Sequence, residues 1–212
     1  MFRVLRSAFR VYMSPFSLMQ ETPRPWLDPD ALKSRFLKLS TPLHPDRVHH
    51  LSEAEKQKAT RKFSELNAAY QILRSPRERI NLLLELETGA KPGDIQKIPP
   101  GTMDLFVEVG QFCRDLDAFL ATRNSSETSP LLKVSAMRLQ QEWIARLRDI
   151  RSKVELKQEL SLAELQKLDA EWVAATDRRP VLERLENIGR LFSYIARWSQ
   201  QLEERAIPLK LG

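Results

Sequence analysis

Apolar residues recur every three or four positions along most of this 212-residue chain, which is the period of an α-helix. No stretch alternates apolar and polar residues in the manner of a half-buried strand, and glycine is scarce, with 6 residues. Leu, Glu, Gln, Arg and Ala, which favour helices, are common throughout. We therefore predict an all-α fold.

Three N-terminal capping signals define the helices of the first half of the chain. They are Asp28 followed by Pro29, Ser52 with Glu55, and Ser75 followed by Pro76. These signals predict helices over about 29–41, 52–74 and 76–87. The first two helices carry apolar stripes and should pack as an antiparallel pair. The side chains expected to be buried together are Phe36, Leu39, Phe63, Leu66 and Tyr70.

A segment rich in glycine and proline, GAKPGDIQKIPPG at 89–101, marks the predicted domain boundary. As a linker, it separates a first helical domain over 15–88 from a second over 102–206. Residues 1–14 are then an N-terminal extension. The chain is therefore expected to hold two helical domains.

The second domain should contain four helical segments. The first covers about 102–122, and the second starts at Pro130. The third starts at a capping box of Ser161 with Glu164, and the fourth follows Pro180. On the first of them the expected buried stripe is Val109, Phe112, Leu116 and Phe119. On the second it is Leu139, Trp143, Leu147, Ile150 and Val154.

The first twelve residues, MFRVLRSAFRVY, contain three arginines, one serine and no acidic residue. This composition is typical of a mitochondrial transit segment, although it is short. The alternative is an upstream start codon, with Met13 as the true start. No apolar run approaches the roughly 20 residues that a membrane span needs, and the single cysteine, Cys113, fits a reducing compartment. We expect a cytoplasmic protein with no membrane partner, or a mitochondrial matrix protein if residues 1–12 are a transit segment.

The segment TPLHPDRVHH at 41–50 holds all three histidines of the chain beside Asp46. These side chains supply enough ligand atoms for zinc. However, His49 and His50 are consecutive and point apart, and neither HxxxH nor HExxH spacing is present. A hydrolytic site needs a nucleophile, a base and a lined pocket, and the pattern offers no such set. We expect no metal site, no cofactor and no catalytic activity of the chain itself.

The tripeptide His44-Pro45-Asp46 lies at the expected tip of the helix pair. Proline has a fixed φ angle and therefore holds the flanking side chains in a defined relation. Asp46 can accept a bidentate hydrogen bond from an arginine, and His44 can pack or donate beside it. The cations expected off the buried stripe at the same end are Lys33, Lys38 and Arg47. This arrangement is typical of a docking surface.

Positive charge is concentrated around this tripeptide, since residues 33–62 contain eight Lys or Arg and three Asp or Glu. Such a surface predicts an acidic partner, either a protein face or a phosphate backbone. A nucleic-acid-binding protein would use Lys56, Lys58, Arg61 and Lys62 as its phosphate contacts. No glycine-rich or aromatic stacking motif accompanies these residues, so a protein partner is favoured.

Several motifs together resemble the J domain of DnaJ-type co-chaperones. They are Leu32, Phe36, the tripeptide 44–46, Asn67-Ala68-Ala69-Tyr70 and Leu73. The more specific motifs resemble the HscB-type branch, which serves iron–sulfur cluster assembly, and they are Pro76, Arg79, Leu82-Leu83 and PFSLMQ at 15–20. The resemblance implies a J domain followed by a C-terminal helical bundle. It also implies that the tripeptide and the cations beside it engage the ATPase domain of a DnaK/HscA-type chaperone and stimulate ATP hydrolysis.

The segment LFVEVGQFCRDLDAF at 105–119 resembles the part of the HscB-type bundle that binds an IscU-type iron–sulfur scaffold protein. The client-binding residues that this resemblance implies are Phe106, Val107, Glu108, Gln111 and Arg114. At Gly110, Gln111, Cys113 and Arg114 the sequence departs from the apolar, Glu, Arg and Glu residues usual in this branch. A J-domain co-chaperone for a different client is therefore the alternative, and Phe106 can instead complete the core.

Overall fold

The computed structural model describes residues 14–90, 98–123 and 130–211, and the regular elements in these ranges are helical. The predicted all-α fold is thereby confirmed. The α-helices are α1 (Pro15–Leu18), α2 (Pro29–Ser40), α3 (Pro45–Val48), α4 (Glu53–Arg74), α5 (Pro76–Thr88), α6 (Met103–Arg123), α7 (Pro130–Ala174) and α8 (Arg179–Leu211). A 3₁₀ turn covers Thr41–Leu43. The twelve N-terminal residues discussed above and most of the predicted linker lie outside the described residues.

Two compact units are defined by the contacts within the chain. The first consists of Met1–Asp94 with Glu164–Gly189, and the second consists of Ile95–Ala163 with Arg190–Gly212. The break between Asp94 and Ile95 falls inside the predicted linker. The region predicted as one bundle, 102–206, is divided between the units, because the end of α7 and the start of α8 pack with the N-terminal helices.

The capping signals read from the sequence begin α2, α4 and α5 as expected. Asp28 accepts a hydrogen bond from the Ala31 backbone N–H at 2.8 Å. Ser52 and Glu55 form a reciprocal capping box, and the Ser52 hydroxyl and backbone N–H, both bonded to the carboxylate, lower the pKa of Glu55. Local side-chain chemistry therefore fixes where these helices start.

The core of the first unit joins α1, α2 and α4. Phe36 stacks on Tyr70 with 4.4 Å between ring centroids, at the edge of this core. Its buried members are Phe16, Met19, Leu27, Leu32, Leu66, Ala69 and Leu73. The expected burial of Phe63 in this cluster is wrong: the side chain is half-buried and meets His44 instead. Phe63 lies one turn or more nearer the start of α4 than the cluster members of that helix, so it reaches the turn after α2.

The segment before α2 is held in the first unit by buried polar contacts. The carboxylate of Asp169, on α7, accepts hydrogen bonds from the Arg24 side chain and, at 3.0 Å, from the Trp26 backbone N–H. Arg79 on α5 is buried, and its guanidinium donates to the carbonyl oxygens of Pro25 and Leu73. Burial lowers the pKa of Arg79 to about 10. These contacts anchor an irregular segment that has few backbone partners of its own.

The prediction that a helix starts at Ser161 is wrong, because α7 is continuous over 45 residues from Pro130 to Ala174. The buried hydroxyl of Ser161 donates to the carbonyl oxygen of Lys157, one turn earlier, at 2.7 Å. A serine that bonds back to the i−4 carbonyl sits inside a helix rather than capping one. Leu139, predicted in the buried stripe of α7, is 44% exposed, so that stripe begins at Trp143.

The core of the second unit is built around Trp143 of α7. Its ring stacks on Phe119 with 5.4 Å between centroids and meets Phe112 at 5.9 Å. Val109 and Leu116 of α6 are buried as predicted. The stripe predicted for α6 is therefore its core-facing side, and the opposite side of the helix faces outward.

Candidate functional site

The chain turns from α2 into α4 through a short, strongly structured connection. Helix α2 ends at Ser40, and the hydroxyl of Thr41 donates to the carbonyl oxygen of Leu37 at 2.6 Å. A 3₁₀ turn follows, and Pro45 then starts the four-residue helix α3. The sequence predicted a loop here, and the structure shows a turn of two short helical pieces that fixes the backbone of the tripeptide.

The imidazole of His44 is held on two sides. Its Nδ1 atom accepts a hydrogen bond from the Asp46 backbone N–H at 3.3 Å, so His44 caps α3. This bond requires Nδ1 to be unprotonated, which leaves the proton of the neutral ring on Nε2. The ring also lies edge to face against Phe63 at 6.2 Å between centroids. His44 thus has a defined orientation although half of its side chain is exposed.

The carboxylate of Asp46 points into solvent, with 88% of the side chain exposed. Its Oδ2 atom lies 3.6 Å from Nδ1 of His44, and no lysine or arginine of the described ranges forms an ion pair with it. His49 contacts the backbone oxygen of Asp46 at 2.7 Å rather than its carboxylate. Asp46 is therefore available to a cation on another molecule.

The three cations predicted beside the tripeptide are all exposed. Lys33 and Lys38 lie on α2, and Arg47 lies on α3. None of the three forms an ion pair with an acidic side chain in the described part of the chain. The two lysines are five positions apart, or about 140° around the helix, and Leu37 between them is also exposed. The two lysines and Leu37 therefore form a broad exposed face of α2, and Arg47 extends the positive charge onto α3.

The remaining histidines show no arrangement suited to a metal ion. The rings of His49 and His50 meet edge to face at 5.5 Å between centroids, and both side chains are exposed. Among the described residues, no group of three or more His, Cys, Asp or Glu side chains is placed to hold a metal. No helix of the same residues is long and apolar enough to cross a membrane.

The client-binding residues predicted on α6 do not share one environment. Phe106 is 38% exposed, and its ring packs against the buried rings of Tyr194 and Trp198 on α8 at 5.9 and 6.5 Å. Val107 is 56% exposed. Phe106 therefore lies at the edge of the core, partly packed against aromatic rings and partly exposed to solvent.

The polar members of the set are engaged within the second unit. Glu108 forms an ion pair with Lys153 of α7 at 2.6 Å, which raises the pKa of Lys153. Gln111 accepts from Arg114 at 2.7 Å and donates to Asp115 at 2.6 Å. Glu108, Gln111 and Asp115 line one wall of a groove of about 540 Å³ between α6 and α7.

Two residues that belong to this surface were missed in the sequence. Lys153 holds Glu108, and no pattern within one helix could reveal a pair that is 45 positions apart. Met103 is exposed on the first turn of α6, and its spacing of three and four from Phe106 and Val107 was a visible signal. The exposed apolar side chains of α6 therefore begin one turn earlier than predicted.

Parts of the chain are similar in sequence to known proteins. Residues 24–82 match the DnaJ domain family. Among curated proteins, the HscB homolog of Mannheimia succiniciproducens is 34% identical over 84 residues, which is 40% of this chain and 49% of that protein, so the match spans about half of its length. The HscB homolog of Vibrio cholerae is 24% identical over 176 residues, covering 83% of this chain and 91% of that protein. Both relatives are described as co-chaperone proteins.

Solved structures extend the likeness beyond the DnaJ domain. The crystal structure of human co-chaperone protein HscB has a TM-score of 0.60 at 20% identity, covering 92% of this chain and 83% of that one. The chaperone HscB from Vibrio cholerae has a TM-score of 0.50 at 26% identity, covering 89% and 99%. The DnaJ domain match places a J domain at residues 24–82, and the tripeptide His44-Pro45-Asp46 forms its HPD turn. Within the class of J-domain proteins, the chain is similar to the HscB type.

Proposed function

We propose that this chain docks on an Hsp70-type ATPase chaperone of the DnaK/HscA class, stimulates its ATP hydrolysis and delivers a client to it. The observation that carries the proposal is the HPD turn, in which Asp46 is exposed and pairs with no lysine or arginine of the described residues, while His44 is held by Phe63 and by the Asp46 backbone. A carboxylate on a fixed backbone suits a bidentate arginine of the partner. The protein is a regulator of its partner's ATPase and has no catalytic role of its own.

The cations around the turn support docking on an acidic surface. Lys33, Lys38 and Arg47 are exposed, and none of them forms an ion pair within the described part of the chain, so all three can meet acidic groups of a partner. Complementary charge of this kind mainly speeds association and fixes register. The basic side chains of α4 fit the same role, although Lys56 is already paired with Glu53 at 2.7 Å.

The test of chaperone docking is the substitution Asp46→Asn, with ATP hydrolysis by a DnaK/HscA-type chaperone as the readout. We expect stimulation to be lost while circular dichroism and thermal unfolding stay unchanged, because the side chain is exposed and the size is kept. The matched control is Asp30→Asn, an exposed aspartate on the first turn of α2, which should keep full stimulation. Full stimulation by the Asp46→Asn chain would refute the docking role of the turn.

For the client we propose an IscU-type iron–sulfur scaffold protein, bound by the outward side of α6. The half-exposed ring of Phe106 and the exposed side chain of Val107 provide apolar anchors, and Arg114, Gln111 and Glu108 provide a polar rim. Apolar anchors ringed by polar groups are typical of specific interfaces of moderate affinity. Phe106 is already supported by Tyr194 and Trp198, so little ordering is needed on binding.

Two separate substitutions test the client surface. An interface role predicts that Phe106→Ala and Glu108→Lys both weaken binding of an IscU-type scaffold. Glu108→Lys also breaks the ion pair with Lys153, so Lys153→Gln is needed as a control that removes the same pair without changing Glu108. Intact binding in the Lys153→Gln chain and weakened binding in the other two support the proposal. If no variant changes the binding, the client site lies elsewhere.

If the wild-type protein stimulates the chaperone but does not bind the scaffold, we expect a client of another kind.

For the compartment, we propose the cytoplasm. Fusion of residues 1–12 to a fluorescent reporter tests this, since import of the reporter into mitochondria would place the protein in the matrix instead.

A further inference from the structure

A second apolar stripe runs along the outward side of α6. Met103, Phe106, Val107 and Gly110 follow one another at intervals of three, one and three positions, the spacing of one helical face. The three side chains are each more than one third exposed. This outer stripe lies away from the buried Leu116 and Phe112. Phe106 also packs at the edge of the core against Tyr194 and Trp198, whereas Met103 and Val107 are each more than half exposed.

Gly110 is the exceptional member of the outer stripe. Glycine inside a helix is unfavourable relative to alanine, because it loses more backbone freedom on folding. A β-carbon at Gly110 would meet only Nη1 of Arg114, at 3.5 Å, which is an ordinary van der Waals distance. Its backbone is helical and packing leaves room for a side chain, so neither conformation nor packing requires glycine here. The contrast is Gly189 on α8, where a β-carbon would come within 3.0 Å of Cγ2 of Ile80.

The missing side chain leaves a notch in the outer stripe. On a helix surface the neighbours of position 110 are those three and four residues away. Toward the N-terminus these are Phe106 and Val107, which are exposed apolar side chains, and toward the C-terminus they are the buried Cys113 and the exposed Arg114. The notch is therefore bordered by apolar groups at one end and by a guanidinium at the other.

Arg114 has hydrogen-bonding capacity left for a partner. Its Nη2 atom donates to Gln111 at 2.7 Å, and no carboxylate of the described residues forms an ion pair with it. A guanidinium has five N–H donors, so several of them face solvent at the rim of the notch. Charge complementarity thus calls for an acidic group on the partner next to the side chain that fills the notch.

We infer that the notch at Gly110 receives a bulky apolar side chain of the client, next to a client carboxylate that pairs with Arg114. This inference rests on the proposed client surface and narrows it. Because of Gly110, the surface would select a client segment in which an apolar residue lies beside an acidic one. A helix that carried a larger side chain at this position would close the notch and select a flatter partner.

The experiment measures the binding of an IscU-type scaffold protein by titration calorimetry. Gly110→Leu fills the notch and should weaken binding about tenfold or more, while Arg114→Glu should weaken it about five- to twentyfold and reverse its salt dependence. The matched control is Ala196→Leu, which adds the same bulk at an exposed position of α8. Position 196 is two residues, or about 200°, from Trp198 and so points away from Phe106.

The outcomes separate the notch from the client surface. If Val107→Asp weakens binding and Gly110→Leu does not, the notch is overturned and the proposed client surface stands. A wild-type chain that does not bind the scaffold overturns both. Should Gly110→Leu lower the thermal stability, Gly110→Ala decides instead: weaker binding by a chain that unfolds at a higher temperature supports the notch, and unchanged binding overturns it.

Discussion

The imidazole of His44 meets the ring of Phe63 edge to face, with 6.2 Å between the two ring centroids. This contact joins the HPD turn to α4 and accounts for an aromatic residue that the core of the first unit leaves out. Edge-to-face pairs of this kind contribute about 0.5–1.5 kcal/mol beyond the area that they bury. Phe63 is therefore expected to position His44 rather than to stabilise the fold.

Phe63→Leu tests this positioning role. The substitution keeps an apolar side chain but removes the ring, so the free energy of unfolding should change by less than about 1.5 kcal/mol. Stimulation of the chaperone ATPase should fall several-fold, because His44 loses one of its two supports. Phe36→Leu is the matched control, since Phe36 stacks on Tyr70 at the core edge. That chain should lose stability and keep its stimulation; a reversed pattern would contradict the assignment.

The capping box at the start of α4 gives a prediction about stability. Ser52→Ala removes the hydroxyl that caps the helix and should cost about 1 kcal/mol in the free energy of unfolding, measured with urea. Ser64→Ala, at an exposed position within the same helix, should be neutral or slightly stabilising. Equal effects of the two substitutions would show that the box contributes nothing.

Asp169 gives a prediction for a contact that is distant in the sequence. Asp169→Ala leaves the Trp26 N–H and the Arg24 guanidinium without their acceptor and should destabilise the protein by about 2 kcal/mol. The control Asp177→Ala removes an exposed carboxylate that pairs with its neighbour Arg179, and it should cost less than about 0.5 kcal/mol. Thermal unfolding of both chains compares them directly.

The buried thiol of Cys113 should report on unfolding of the second unit. Burial raises its pKa above the ordinary value of a thiol, about 8.5, and so suppresses the reactive thiolate. Because the pKa is higher in the folded state, this contribution to stability is present below the pKa of the unfolded thiol and is lost as pH rises through the folded value. Labelling by a thiol reagent at pH 8 should be slow and should accelerate with urea. Immediate labelling in the absence of urea would contradict this burial.

Two helix-interior glycines should respond to alanine in opposite directions. Gly189→Ala places a methyl group 3.0 Å from Cγ2 of the buried Ile80 and should destabilise by about 1–3 kcal/mol. Gly110→Ala meets no obstacle and should stabilise by about 0.5–1 kcal/mol. Chemical denaturation of the two variants beside wild type measures both signs.

The parts of the fold that were predicted from the sequence depend on local chemistry. The starts of α2, α4 and α5 follow from Asp28, Ser52 and Ser75, because a cap acts within one helical turn. The same rule failed at Ser161, where Leu165 and Leu168 are buried and packing keeps the helix continuous through a sequence that also fits a cap.

The features of the candidate sites that were predicted from the sequence are also the local ones. The HPD turn was found because its three residues are consecutive, so their relation survives any packing of the helices. The support of His44 by Phe63 and of Glu108 by Lys153 was not found, because these pairs are 19 and 45 positions apart. The spacing of residues within one helix carries no information about the residues that they contact on another helix.

The hydrogen bond from the Trp26 N–H to Asp169 joins positions that are 143 residues apart. At the usual pace of synthesis, about 5–20 residues per second, roughly 7–29 s pass between the two residues on the ribosome. During that interval the segment around Trp26 has left the peptidyl transferase centre, while its acceptor does not yet exist. The first unit therefore completes its folding late, after most of the second unit has been synthesised. The speed of translation between these two positions determines how long the incompletely folded first unit is exposed.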